Sequence, residues 1–312
     1  MRPGILPILA AGALLLAGCE KPEDNPSGGG KTAVQSVALQ LSLSADAAMP
    51  VSQTLDYPTK ADGIQLRHTV RVYRAADSGG WSSAAEAEAV LTSGDLSSPS
   101  GEVKLNLKPY KYKVLVWTDY VQGTADWLWN ARDFSRIRIP DGAYQGGTPY
   151  RDAFFGSQEL DLSAAGETYS GRISLTRPVA GYLFVATDAS AFQGRSVQAT
   201  VSYTEAVPSS FNLWEGAPAD TRSGLSFTQP VEVLSDGTVN LAFDHLLVSG
   251  SDAQVPLTLR LQEGSTVLLE QSLTVPLQKG RRTVYKGKIF VSDGSAGISV
   301  DPSFEDEYNQ SF

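Results

Sequence analysis

Few side chains in this 312-residue sequence are suited to catalysis or to binding a transition metal. There is one cysteine, Cys19, and there are two histidines, His68 and His245. The sequence has no G-x-S-x-G nucleophile motif and no phosphate-binding glycine loop before a helical pattern. It therefore predicts no catalytic residues, no cofactor and no metal centre.

Carboxylates are concentrated between residues 119 and 156, at Asp119, Asp126, Asp133, Asp141 and Asp152. Carboxylates and loop carbonyls can bind calcium, and two carboxylates about 5–10 Å apart can hydrolyse a glycosidic bond. The spacing matches no EF-hand loop or other compact ligand pattern. We favour solvated loop carboxylates and leave calcium binding open.

Trp127 and Trp129 lie in the same stretch, close to several tyrosines. Exposed aromatic rings offer an apolar face with a polar edge and could stack on sugar rings. Both residues are therefore candidate glycan contacts. The alternative, which we favour, is that they are buried as a cap on a β-sandwich.

Cys19 follows an apolar run from Ile5 to Leu16, which is too short to span a bilayer comfortably as a mature helix. The tetrapeptide Leu16-Ala17-Gly18-Cys19 resembles the bacterial lipobox. That resemblance implies removal of residues 1–18 and acylation of Cys19, and two or more acyl chains give stable anchoring. The alternative is an ordinary signal peptide with an incidental cysteine.

Residues 19–32 are rich in proline, glycine and charge, which predicts a flexible tether. Its acidic residues Glu20, Glu23 and Asp24 resemble the surface-export signal of Bacteroidetes lipoproteins. The expected location is the outer membrane, with the chain lipid-anchored at the cell surface. The formal net charge of −9 argues against a nucleic-acid partner, which requires a basic face.

Beyond residue 33, apolar and polar residues alternate in short runs such as Val37 to Leu43 and Val255 to Leu261. This period predicts half-buried strands. The continuous apolar runs at 114–117 and 182–186 predict central strands covered on both faces. The predicted fold class is all-β, with two helical turns at most over Ala84 to Leu91.

Pro178 removes a backbone donor and turns Arg177 away from helix, which predicts a strand break. We place a domain boundary there, with an N-terminal β-sandwich at 33–177 and a C-terminal one at 178–301. An acidic tail covers 302–312. The irregular stretch 119–156 is expected to pack on the first sheet.

Four segments carry a family resemblance when taken in order: TVRVYR (69–74), YKVLVWTDYV (112–121), YRDAFFG (150–156) and ISLTRPVAGYLFVATD (173–188). With the lipobox, they resemble fimbrillin-type lipoproteins of Bacteroidetes and, within that group, an uncharacterised branch. The resemblance implies two tandem β-sandwich domains of transthyretin-like topology, outer-membrane anchorage and a surface or pilus-type role.

In fimbrillins that polymerise, a protease cuts after an arginine and removes the first strand, and another subunit then supplies a strand to the groove. By this resemblance Val37 to Leu43 is a removable strand, and Arg67, expected in a loop over 61–68, is a candidate processing site. Strand addition of this kind relies on main-chain hydrogen bonds and side-chain pockets.

The predicted function is that of a non-catalytic, lipid-anchored surface protein that acts in adhesion or as a pilus-type subunit. The alternative is a surface glycan-binding lipoprotein. The expected partners are the membrane, through acyl chains on Cys19, other fimbrial subunits by strand exchange, and host or microbial glycans.

Overall fold

Strands dominate the computed structural model, which describes residues 34–43, 63–96, 98–123, 126–164, 168–250 and 253–290. Among the described residues up to 175 there are eight strands: β1 (Gln35–Leu43), β2 (Ile64–Arg74), β3 (Ala87–Ser93), β4 (Gly101–Leu107), β5 (Lys111–Gln122), β6 (Ile137–Arg138), β7 (Ala153–Asp161) and β8 (Thr168–Leu175). The predicted leader, Cys19, the tether and the acidic tail lie outside the described residues.

The described part of the chain from residue 179 onward has twelve further strands: β9 (Val179–Ala186), β10 (Val197–Tyr203), β11 (Val207–Pro208), β12 (Ser210–Asn212), β13 (Ala217–Pro218), β14 (Thr221–Arg222), β15 (Ser226–Pro230), β16 (Glu232–Val233), β17 (Val239–Leu247), β18 (Ala253–Glu263), β19 (Thr266–Leu277) and β20 (Arg282–Gly287). The described helices are 3₁₀ turns at Pro149–Arg151 and Ala189–Ala191. The predicted all-β class is confirmed. Among the described residues no helix has the length and apolar composition needed to cross a membrane.

Two sheets pack face to face in the N-terminal part of the chain. The first sheet has the strand order β4-β1-β8, and the second has β3-β2-β5-β7. Alternate residues of both sheets, such as Val37 and Leu39 from the first and Val70 and Val114 from the second, form one buried cluster. Two inner faces that share a core define a β-sandwich.

Two further sheets follow, with strand orders β16-β17-β9-β20 and β15-β10-β18-β19, here the third and fourth sheets. Their inner residues, among them Phe184 and Leu259, form a second buried cluster. That cluster also takes in residues of the segment 126–152, here called the insert, and Trp117 on the outer face of the second sheet. The irregular stretch was expected to pack on a sheet of the N-terminal part, and the insert packs on the second sheet and also contacts the C-terminal sheets. The two ends of that stretch, 119–122 and 153–156, are not irregular, because they belong to β5 and β7.

The apolar runs predicted as central strands lie in β5 and β9, and their residues are buried. The helical turns predicted over Ala84 to Leu91 are wrong, because Ala87–Ser93 forms β3 at the edge of the second sheet. Pairing with β2 along seven residues overrides the helix propensity of alanine and glutamate.

The predicted strand break at Arg177-Pro178 is observed, since β8 ends at Leu175 and β9 begins at Val179. β8 belongs to the first sheet and β9 to the third. The division into two domains at this point stays a prediction. Arg177 is not a linker residue, because its side chain is buried and paired.

Candidate functional site

β1 is the middle strand of the first sheet. It pairs antiparallel with β4, from Gln35 opposite Leu107 to Leu41 opposite Gly101. On its other side it pairs parallel with β8, from Ser36 opposite Thr168 to Leu43 opposite Leu175. The first described strand of the chain therefore fills a slot whose two walls are supplied by later segments.

The side chains of Val37, Leu39 and Leu41 point into the core and are at most 2% exposed. Burial of three such side chains contributes roughly 5–9 kcal/mol to the free energy of folding, at about 1.5–3 kcal/mol each. Gly171 lies beside Leu39, and a Cβ there would come within 3.4 Å of Leu39 Cδ2. The slot is therefore shaped by alternating side chains as well as by backbone hydrogen bonds.

Arg67 lies in the interior of β2, so its expected position in a loop is wrong. Its backbone pairs with Thr92 on one side and Asp119 on the other. Its guanidinium donates two hydrogen bonds to Asp119, at 2.9 and 2.7 Å, and one to Asp126 at 2.8 Å. The side chain is 13% exposed. Processing at Arg67 stays a prediction, but the bond after Arg67 belongs to a paired strand.

The charges around Arg67 affect each other's protonation. Burial raises the pKa of Asp119 to about 6, although the hydrogen bonds and charge of Arg67 act to lower it. Burial acts to lower the pKa of Arg67, but the hydrogen bonds and charges of Asp119 and Asp126 raise it overall. Arg67 therefore stays charged and anchors the two carboxylates.

The two candidate glycan-contact tryptophans do not form a shared platform. Trp129 is fully buried, donates a hydrogen bond from Nε1 to the Arg151 carbonyl at 3.1 Å and packs edge-on against Trp117. Trp127 is half-buried, donates to Gln145 Oε1 at 3.0 Å and packs against Tyr150 with ring centroids 5.6 Å apart. A sugar could reach only Trp127, so the favoured alternative of burial holds for Trp129.

A buried polar network lies between the insert and the third and fourth sheets. Asp244 Oδ2 accepts hydrogen bonds from Tyr144 at 2.6 Å and Tyr203 at 2.7 Å. Asp244 Oδ1 lies 3.5 Å from Arg151 Nε, and the Arg151 guanidinium also stacks over the Tyr144 ring at 4.4 Å. Burial raises the pKa of Asp244 even though Arg151 and the two tyrosines act to lower it.

The five aspartates of residues 119–156 are not gathered into one site. Asp119 and Asp152 are fully buried in arginine ion pairs, so solvation is the wrong interpretation for these two. Asp133 caps a local turn, and Asp141 is exposed beside Arg138. Within the described ranges, no three His, Cys, Asp or Glu side chains are grouped to hold a metal ion.

Sequence reasoning missed Asp244 and Tyr203, which are central to the buried network. Tyr203 is 41 residues from Asp244 and Tyr144 is 100 residues away, so local spacing carries no signal of their contact. The only indication was the apolar strand pattern around them, which predicts burial but not a partner.

The chain belongs to the family of unknown function DUF6562, whose model matches residues 31–311. This agrees with the resemblance to an uncharacterised branch. Among curated proteins no sequence matches this chain.

Solved structures similar to this chain come from Bacteroides and Porphyromonas species. A candidate cell adhesion protein of Bacteroides ovatus has a TM-score of 0.53 at 11% identity, covering 90% of this chain and 99% of that chain. One from Bacteroides eggerthii has a TM-score of 0.48 at 12% identity, covering 88% and 93%. The fimbrial anchor protein Mfa2 of Porphyromonas gingivalis has a TM-score of 0.39 at 14% identity, covering 77% and 82%. The Bacteroides ovatus structure shows a shared fold, and a shared fold alone does not fix function.

Proposed function

We propose that this protein is a non-catalytic surface protein, lipid-anchored to the outer membrane through Cys19, that acts in adhesion or as a pilus-type subunit by strand exchange. The observation that carries the proposal is the central position of β1 between β4 and β8. The shared fold with the Bacteroides ovatus adhesion protein supports the same role.

Removal of β1 would leave an open slot in the first sheet. β4 and β8 would each present an unpaired edge, and the pockets of Val37, Leu39 and Leu41 would open to water. Unpaired edges of this kind accept an added strand. The most favourable occupant is a strand with the same alternation of apolar side chains.

The position of Arg67 determines how β1 could be released. A cut after Arg67 would remove Ile64 to Arg67 from β2 together with β1 and break the pairing of β2 with Asp119. In the sequence, Lys60 is the only lysine or arginine between Leu43 and Ile64. A cut at Lys60 would separate β1 from the rest of the chain and leave β2 intact. A lysine-specific protease is therefore the suitable enzyme for the experiment.

The test uses a chain that begins at Ser44 and a fluorescent peptide of residues 34–43. We expect the truncated chain to bind the peptide with saturation, because the slot between β4 and β8 is then empty. A peptide with Leu39→Asp is the matched control and should not bind, because the Leu39 pocket is apolar and closed.

The full-length chain nicked at Lys60 by a lysine-specific protease provides a second measurement, in case the truncated chain does not fold. We expect the nicked protein to exchange its own β1 for the labelled peptide, whereas the intact chain should not. Strand exchange is wrong if neither the truncated nor the nicked protein takes up the peptide.

A further inference from the structure

An elongated trough crosses the outer face of the second sheet. It lies between the edge strand β3 and the insert, where the insert leaves that face uncovered. Two adjoining hollows of about 410 and 450 Å³ form it, and both are lined by Arg71, Glu88 and Arg132. Ligand sites in proteins commonly have volumes of roughly 300–1,000 Å³. The trough is therefore large enough for a ligand of several linked units.

The charges that line the trough balance. Its basic residues are Arg67, Arg71 and Arg132, and its acidic residues are Glu88, Asp126 and Asp133. Three positive and three negative groups give no net attraction for a strongly charged ligand. The formal net charge of −9 over the whole chain further disfavours an anion. The electrostatics therefore favour a neutral, polar ligand.

Arg71 is held in place at the junction of the two hollows. Its guanidinium donates to Glu88 Oε2 at 2.7 Å and to the Arg132 carbonyl at 2.8 Å, and it lies 4.4 Å above the Phe134 ring. A side chain that is already fixed loses little conformational entropy when a ligand binds. The Arg71–Glu88 pair thus presents preorganised donors and acceptors to a polar ligand.

One end of the trough is aromatic. Trp214, from the turn after β12, packs against Tyr73 with ring centroids 4.5 Å apart and remains partly exposed. Both rings line this end together with Phe134. An aromatic ring packs well against the apolar C–H face of a sugar ring. Because Trp214 belongs to the C-terminal part of the chain, the trough requires both parts to be folded together.

We propose that this trough binds a neutral oligosaccharide. Sugar hydroxyls would exchange hydrogen bonds with the fixed Arg71–Glu88 pair and with Arg132, and one sugar ring would pack on Trp214. This inference rests on the proposed adhesion function, for which it supplies a ligand class. An extended peptide fits less well, because Val90 is the one large aliphatic side chain that β3 contributes to the trough, and its neighbours there, Glu88 and Thr92, are polar.

The test uses the chain from residue 20 onward and a panel of neutral, amino and acidic oligosaccharides, with calorimetry on those that bind. We expect a neutral oligosaccharide to bind, and Arg132→Ala and Trp214→Ala each to weaken binding about tenfold or more. Arg136→Ala is the matched control for the first, since Arg136 is an exposed arginine of the same insert outside the trough. Trp127→Ala is the matched control for the second. Both controls should bind like the parent chain.

Three outcomes would overturn the inference: no neutral oligosaccharide binds, binding is unchanged in both trough variants, or only acidic oligosaccharides or peptides bind. The Arg132→Ala variant guards against misfolding as an explanation, because that side chain is 83% exposed. The peptide-uptake assay for strand exchange does not involve the trough. A failure of sugar binding with normal peptide uptake therefore removes only the saccharide inference.

Discussion

Arg177 and Asp152 form a buried two-point ion pair at the place where the chain leaves the first sheet for the third. Arg177 Nε and Nη2 each lie 2.7 Å from a different carboxylate oxygen of Asp152, and both side chains are at most 4% exposed. The guanidinium also lies 4.6 Å above the Phe154 ring. This pair ties the insert to the connection between β8 and β9.

Removal of one partner of this pair should destabilise the protein strongly. For Arg177→Ala or Asp152→Ala we expect the free energy of unfolding to fall by about 3–5 kcal/mol, because each change leaves an uncompensated buried charge. Equilibrium denaturation in urea measures the loss. Lys111→Ala is the control, since its pair with Asp161 is exposed to solvent and should contribute little to stability. A loss as small as that of the control would mean that the Arg177–Asp152 pair is not maintained in solution.

The hydroxyl of Tyr203 should contribute measurably to stability through the buried network around Asp244. It donates to Asp244 at 2.7 Å and lies 2.8 Å from the Tyr182 hydroxyl, and both contacts are buried. Tyr203→Phe should cost about 1–3 kcal/mol, because buried polar groups are left with fewer partners.

Tyr285→Phe is the matched control for Tyr203→Phe, since its hydroxyl contact with the Thr274 carbonyl is long, at 3.3 Å, and exposed. It should change the free energy of unfolding by less than about 0.5 kcal/mol. Equal effects of the two substitutions in the same denaturation experiment would contradict a special role for the Asp244 network.

Periodicity predicted the strands well because alternation follows directly from a sheet with one buried face. It predicted β1, and it predicted the central strands β5 and β9 from their continuous apolar runs. It failed for Ala84 to Leu91, where local propensity favoured helix and pairing with a distant strand decided the outcome.

The polar contacts could not be predicted from the sequence, because their partners are far apart along the chain. Arg67 was expected in a loop, but it lies in β2 with its side chain paired to Asp119, 52 residues later. Trp214 likewise reaches Tyr73 only through the folded arrangement of both chain halves. Residues that are so far apart in the sequence produce no local spacing pattern, and their contacts are visible only in the folded structure.

His68 should make stability depend on pH. It is 1% exposed, its Nδ1 lies 2.8 Å from Thr118 Oγ1, and burial lowers its pKa from 6.5 to about 4. As the pH falls from 6.5 to 4, the unfolded chain binds a proton at His68 and the folded chain does not, so stability present above pH 6.5 is lost. The loss from this residue should be about 3 kcal/mol.

His68→Gln isolates this contribution from that of Asp119, whose raised pKa acts in the opposite direction over part of the same range. The measurement is the free energy of unfolding of both proteins between pH 4 and pH 7.5. We expect the gap between them to shrink or reverse towards pH 4. A gap that stays constant across this range would show that His68 titrates normally in the folded protein.

The peptide bond after Arg67 should resist an arginine-specific protease while the protein is folded. Cleavage requires an extended, unpaired segment, and Arg67 is paired on both sides in β2 with its side chain held by Asp119 and Asp126. Opening this region requires separation of core strands, which is rare under native conditions.

Arg132 provides the internal control, because its side chain is 83% exposed in the insert, so the protease should cut there first. Mass spectrometry of the fragments identifies the cuts, and urea should expose the bond after Arg67. If the bond after Arg67 is cut in native buffer before the bond after Arg132, β2 opens locally, and processing at Arg67 becomes the stronger route to the release of β1.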